Sequence, residues 1–333
     1  MKPIRTALAR AMWRKPGVAL AALCALLAAC NAQARPLAFH PDTLCAKTLP
    51  SPAPASTVQA RVLDTGHGKI GYVRFGRGSP IVLVTGYRST IAEWNVHFLA
   101  ELARHHEVIV FDNRGVGASQ TQATGYTARD LASDTAALMQ GLGVERATVL
   151  GWSMGGIVAQ QLAIEAPARV AKLVLLSSMP PGARAQPPSA EVMQALSGSG
   201  ADHFARVMAV LFPASALQAA QACFVGAMFA PGGYHEPKIA DDVARAQDAL
   251  MTQWQHDDAA VQALARVNVP ALVLVGTQDA VLVPRNSQAL AHALPKATLV
   301  EIAAGGHAMM YQYPVQLGRR IDTFIAAGEH SAR

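Results

Sequence analysis

Residues 147 to 166, ATVLGWSMGGIVAQQLAIEA, constrain the chain more than any other stretch. Ala147, Thr148, Val149 and Leu150 form a β-capable apolar run that ends in Gly151-Trp152-Ser153-Met154-Gly155-Gly156. Apolar residues then recur at helical spacing through Ile157, Val158, Leu162 and Ile164. Strand, tight turn and helix follow in that order. A serine at the apex of such a turn has a strained backbone, and its neighbours at 151 and 155 come so close that glycine is required. The following helix aims its free N–H groups and the positive end of its dipole at the same point. A turn of this kind also occurs where nothing reacts, so the segment needs partners elsewhere in the chain.

The rest of the sequence repeats that alternation. Apolar runs at 58–63, 70–75, 81–84, 107–111, 170–176, 271–275 and 298–302 predict strands, with Gly66-His67-Gly68 as a hairpin turn between the first two. Helical patterns cover 91–104, 127–142, 284–293 and 313–326, the second opening on Thr127 with Asp130 three positions on, as in a capping box. Strands alternating with helices predict an α/β fold: a mostly parallel central sheet with helices on both faces and an antiparallel start. Pro180-Pro181-Gly182 breaks the rhythm, and 183–260 reads as helical throughout. An all-helical insertion after a strand would cover the sheet edge where ligands bind, so it is expected to act as a cap. The expected organisation is therefore 1–29 targeting segment, 30–57 leader or tether, 58–182 with 261–328 as core, and 183–260 as cap.

Composition matters mainly at the N-terminus. Lys2, Arg5, Arg10, Arg14 and Lys15 precede a twelve-residue apolar run, Val18 to Ala29, too short to span a bilayer as a helix. This is the pattern of a signal peptide. Leu27-Ala28-Ala29-Cys30 resembles a lipobox, which would make Cys30 the lipidated first residue, whereas Ala32-Gln33-Ala34 resembles an ordinary cleavage site. The expected location is the bacterial cell envelope, on the periplasmic side and lipid-anchored if Cys30 is modified, or outside the cell. The segment carries five of the 28 basic residues, leaving 23 against 22 acidic ones, so net charge gives no case for nucleic-acid binding. Export would also permit a disulfide between Cys45 and Cys223, the alternative being two separately buried thiols.

A serine hydroxyl is a weak nucleophile at neutral pH. It needs a histidine base, which in turn needs a carboxylate to fix its tautomer. Ser153, Asp279 and His307 occur in that chain order, each just after an apolar run. In a parallel sheet with crossover helices those strand ends share one side, so distant residues can converge.

On these residues the chain resembles the α/β-hydrolase superfamily over about 58–328: GWSMGG at 151–156, VGTQDAVLVP at 275–284, GGHAMM at 305–310 and FDNRGVGAS at 111–119. The resemblance implies Ser153 as nucleophile, His307 as base and Asp279 as its orienting acid, with backbone N–H groups of Met154 and Tyr87 as the oxyanion hole. Here Thr85-Gly86 replaces the family's common His-Gly start to the second oxyanion loop. Asp112 and Arg114 match a family loop read as structural support. No cofactor and no metal are expected, since neither HExxH nor CxxC spacing occurs. The expected activity is hydrolysis of a small to medium apolar carboxylic ester through an acyl-enzyme. Lactonase, C–C hydrolase, aminopeptidase and perhydrolase chemistry remain open on the same fold. So do a ligand-binding sensor without turnover and an envelope lipoprotein with a relic triad. The expected partner is a small molecule, with the membrane reached only through a lipid on Cys30; the sequence carries no signal for oligomeric state.

Overall fold

The apolar runs pair into one eight-stranded sheet in a computed structural model, which describes residues 35–39, 57–120, 125–235 and 239–327. The basic-apolar segment 1–29, Cys30 and Cys45 lie outside the described residues. The strands are β1 (Arg61–Asp64), β2 (Lys69–Gly76), β3 (Ser79–Val84), β4 (His106–Phe111), β5 (Ala147–Trp152), β6 (Val170–Leu176), β7 (Ala271–Gly276) and β8 (Ala297–Ile302). They lie in the order β1-β2-β4-β3-β5-β6-β7-β8, with β2 antiparallel to both neighbours and every pair from β4 to β8 parallel. The central strands are near-continuous Val, Leu and Ile because both faces of the sheet are covered; β5 and β7 are buried at every position. Residues ahead of β1 extend the far edge: Leu37 bridges Ile302 in parallel and Phe39 packs edge-on to Tyr313.

The covering helices are α1 (Val96–Leu102), α2 (Ala128–Gly141) and α3 (Met154–Glu165), then α4 (Ala190–Ser197), α5 (His203–Leu211), α6 (Ala214–Cys223), α7 (Asp241–Trp254) and α8 (Asp258–Leu264), then α9 (Pro284–Ala293), α10 (Met309–Gln312) and α11 (Pro314–Ala326). Thr127 opens α2 with a full capping box: Asp130 Oδ2 accepts from Thr127 N–H at 2.7 Å and Thr127 Oγ1 from Asp130 N–H at 3.3 Å. Such a cap contributes about 1 kcal/mol. The run 91–104, expected to be one helix, is two pieces. A 3₁₀ turn spans Ile91–Glu93, and α1 restarts after Asn95, whose Oδ1 accepts from His97 N–H and Phe98 N–H at 3.0 and 2.9 Å. Side-chain capping at Thr90 and again at Asn95 favours two short starts over one continuous helix.

Helices α4 to α8 all lie between β6 and β7, and the described residues of 183–260 contain no strand. Met208, Leu211, Phe212, Phe224, Leu250 and Trp254 are buried in the same hydrophobic core as the sheet. Each buried side chain of this size contributes about 2 kcal/mol. Among the described residues no helix is long and apolar enough to cross a membrane.

Candidate active site

Ser153 follows the last residue of β5 with φ 57° and ψ −122°. For a non-glycine residue that conformation costs about 1–3 kcal/mol and persists only where the surroundings enforce it. Three hydrogen bonds do so. Ser153 N–H donates to Leu176 O at 2.9 Å, and Ser153 O accepts from Gly156 N–H and from Ser178 Oγ, each at 2.9 Å. The flanking glycines are needed for space: a Cβ on Gly151 would overlap the Gly155 carbonyl, and one on Gly155 would overlap the carbonyl of Val84 in the neighbouring strand.

Asp279 lies beyond the end of β7 and His307 beyond the end of β8. The two loops touch because Gly276 and Gly305 leave no room for side chains between their backbones. Asp279 is 3% exposed, and its Oδ1 accepts from Val281 N–H and Leu282 N–H at 2.9 Å each. Its oxygens lie 3.1 and 2.9 Å from His307 Nδ1. A carboxylate can only accept here, so Nδ1 is the donor and Nε2 is the ring nitrogen turned away from Asp279. The histidine loop is braced in turn: Gln312 Oε1 accepts from Gly306 N–H at 2.7 Å, and Gln312 Nε2 donates to Ala304 O at 3.0 Å.

Ser153 and His307 line one cavity of about 370 Å³, together with Gly86, Tyr87 and Trp152. Among the hydrogen bonds of the described residues none joins Ser153 Oγ to the imidazole; such bonds commonly tighten only when substrate is bound. Met154 is the first residue of α3, where an N–H has no partner within the helix. Tyr87 lies in the loop after β3, beside Gly86, where an added Cβ would be 3.4 Å from Ser153 Cβ. Its N–H makes no hydrogen bond among the described residues.

That loop is held from two sides. Asn113 Nδ2 donates to Thr85 O and Thr85 Oγ1 at 3.1 and 3.0 Å, which secures the Thr-Gly start. Arg88, with φ 50°, donates its N–H to Gln247 Oε1 of α7 at 2.7 Å and its Nη1 to Ser197 O of α4 at 3.2 Å. Asp112 is fully buried and accepts from Ile91 N–H, Ala118 N–H and the Tyr234 hydroxyl at 2.8, 2.8 and 2.9 Å. Arg114 grips Asp134 of α2 with two hydrogen bonds of 2.7 and 2.6 Å. Burial, with the Asp112 carboxylate beside it, pushes the Tyr234 phenol up; burial does the same to Tyr87, with Asp248 adding, and lifts Tyr126 to about 12.

Two contributors escaped the sequence reading. Trp152 Nε1 donates to His307 O at 3.1 Å and its ring lies 5.7 Å from the imidazole. It stands beside Ser153 in the motif, so an aromatic at that position was the available signal. Gln247 gave none, since its partner is 159 residues away. Cys223 closes α6 and is disulfide-bonded. Among the described residues no three His, Cys, Asp or Glu side chains group as a metal site would require.

A family model of the α/β-hydrolase fold matches residues 79–314. The chain belongs to that family. Over 254 residues, 74% of this chain and 93% of the other, it is 32% identical to RutD of Pseudomonas savastanoi pv. phaseolicola, named as a carbamate hydrolase. It is 28% identical over 274 residues, 78% of this chain and 98% of the other, to BpoC of Mycobacterium tuberculosis, named as a non-heme bromoperoxidase. An α/β hydrolase fold protein from Chitinophaga pinensis superposes with a TM-score of 0.70 at 20% identity, covering 82% of this chain and 98% of that one. This last likeness concerns the fold alone. The α/β-hydrolase family therefore accounts for the strand order and for the core into which α4 to α8 are inserted.

Proposed function

We propose that the protein is a serine hydrolase that cleaves a carboxylic ester of a small to medium apolar substrate through an acyl-enzyme. The observation that carries this reading is a strained Ser153 sharing a cavity wall with a buried His307 whose Nδ1 is held by Asp279. In the reaction, Ser153 Oγ attacks the carbonyl carbon while His307 Nε2 takes its proton. The Met154 and Tyr87 N–H groups stabilise the oxyanion, each contributing on the order of a hundredfold in rate. His307 protonates the leaving alcohol, and water activated by the same nitrogen releases the acid. Asp279 keeps the imidazole in the required tautomer and stabilises its charged form.

Hydrolysis of p-nitrophenyl esters by the wild type and by Ser153→Ala tests the reading. Activity lost in the variant supports it; equal activity in both removes it. The relative named as a carbamate hydrolase makes carbamates the competing acyl donor, and carbamate and ester analogues of one alcohol, assayed side by side, separate the two. Fluorophosphonate labelling of Ser153 distinguishes either enzyme from a sensor or a relic, because only an activated serine reacts readily.

The reading extends to the N-terminus. The basic-apolar segment would export the chain to the cell envelope, Cys30 would carry a lipid, and Cys45 would pair with Cys223. The mass of the mature N-terminal peptide decides between cleavage at Cys30 and cleavage at Arg35, and non-reducing peptide mapping identifies the partner of Cys223.

A further inference from the structure

Ser153 stands between two chambers of very different size. One, of about 370 Å³, has His307 in its wall together with Phe204, Met208 and Phe224 of the helical insertion and the segment after α6. The other, of about 20 Å³, is bounded by Tyr87, Met154 and Met179 and by Met193 and Met251 from α4 and α7. Its wall includes Ser153 but not His307.

That difference gives the two chambers different parts of a substrate. When the tetrahedral intermediate collapses, the carbon–oxygen bond to the alcohol breaks, and the leaving oxygen takes the proton that His307 Nε2 received from Ser153. The alcohol must therefore lie on the side where the imidazole is, in the large chamber. The carbonyl oxygen faces the Met154 and Tyr87 amides, and the carbon stays bonded to Ser153 Oγ. Its remaining substituent has the small chamber, which Met154 borders and which shares Tyr87 and Ser153 with the large one. That chamber is far smaller than the one beside His307, about 20 against about 370 Å³, and so has room for a short chain only.

Resting on the esterase reading, we propose that this site is built for short-acyl esters of large apolar alcohols. Water then attacks the acyl carbon, the Oγ–carbon bond breaks, and a short carboxylic acid leaves as Ser153 recovers its proton from His307. Four methionines border the small chamber, Met154, Met179, Met193 and Met251. Methionine is unbranched and adaptable, so the limit on acyl length is set by side chains that substitution can trim.

The test is a series of 1-naphthyl esters, acetate, butyrate, hexanoate and octanoate, assayed with the wild type, Met193→Ala, Met251→Ala and Phe224→Ala. The expected wild-type kcat/KM falls about tenfold or more from acetate to hexanoate. The ratio of hexanoate to acetate turnover rises in either methionine variant, while in Phe224→Ala the acyl ranking holds. A wild type that prefers octanoate overturns the proposal, and so does an acyl ranking that shifts in Phe224→Ala and not in the methionine variants, since that is the reverse orientation. The wild-type ranking decides by itself if a variant does not fold. Fluorophosphonate labelling of the same preparations separates the two failures: a labelled Ser153 with long-chain preference removes the short-acyl assignment alone, and an unlabelled Ser153 without turnover removes the esterase reading beneath it.

Discussion

The floor and the roof of the cavity are built differently. At the floor, where β5, β7 and β8 end, backbone meets backbone: Gly151 against Gly155, Gly155 against Val84, Gly276 against Gly305. Main chain in contact with main chain leaves little slack, and a strained Ser153 and a doubly held Asp279 sit on these contacts. The roof, α4 to α8, meets the cavity through side chains, among them Phe204, Met208, Met193 and Met251. Across the seam between the two, the Arg88 N–H of the Tyr87 loop donates to Gln247 Oε1 of α7 at 2.7 Å. The proposed nucleophile, base and acid thus sit on contacts between main chains, and the rest of the cavity wall on side chains that can be exchanged singly.

Substitutions can break that contrast or sharpen it. The largest effect is expected at the floor's reactive groups. Ser153→Ala and Asp279→Asn should each lower kcat/KM by about 10⁴-fold while the thermal melt stays close to wild type; a variant keeping most of its activity would detach these residues from the chemistry. Next comes the floor's backbone packing. Gly155→Ala should cost about 3 kcal/mol or more in urea unfolding, since the methyl group meets a carbonyl rather than a movable side chain.

A smaller loss is expected at the seam. Tyr234→Phe removes the hydroxyl that donates to the buried Asp112 and should cost about 2 kcal/mol. The phenol's pKa is raised in the folded protein. Folding therefore favours the protonated form, a contribution complete below pH of about 10 and lost as pH rises above it towards the folded value. The variant's stability should accordingly fall less steeply than that of the wild type above pH of about 10. The smallest effect on stability belongs to the roof. Phe204 is 40% exposed, so Phe204→Ala should cost less than about 1 kcal/mol yet raise KM for bulky apolar alcohols. A large stability loss there would show that roof and floor are not built on different terms.

Elements set by local pattern were legible along the chain. Strand β6 and helix α9 have the bounds their apolar spacing predicts, Thr127 caps α2, and the turn at Gly151 to Gly156 is where the motif puts it. Local chemistry also limits such reading: the capping side chains of Thr90 and Asn95 divide a run whose apolar spacing suggests one helix. At the candidate site, Asp279 lies against His307 and Ser153 lines the same cavity, three residues the sequence offers because each follows an apolar run in a fixed order.

The amino-acid sequence by itself determined most strands and helices and the turn that carries Ser153, since these depend on neighbours within one or two turns of chain. Tertiary structure alone decided that Gln247 would hold the loop of Tyr87, that Trp152 would reach the carbonyl of His307, and that Ser153 would line both a roomy chamber and a narrow one. The two hydrogen bonds join residues 159 and 155 positions apart, and close packing sets them only once the sheet has brought the strand ends together.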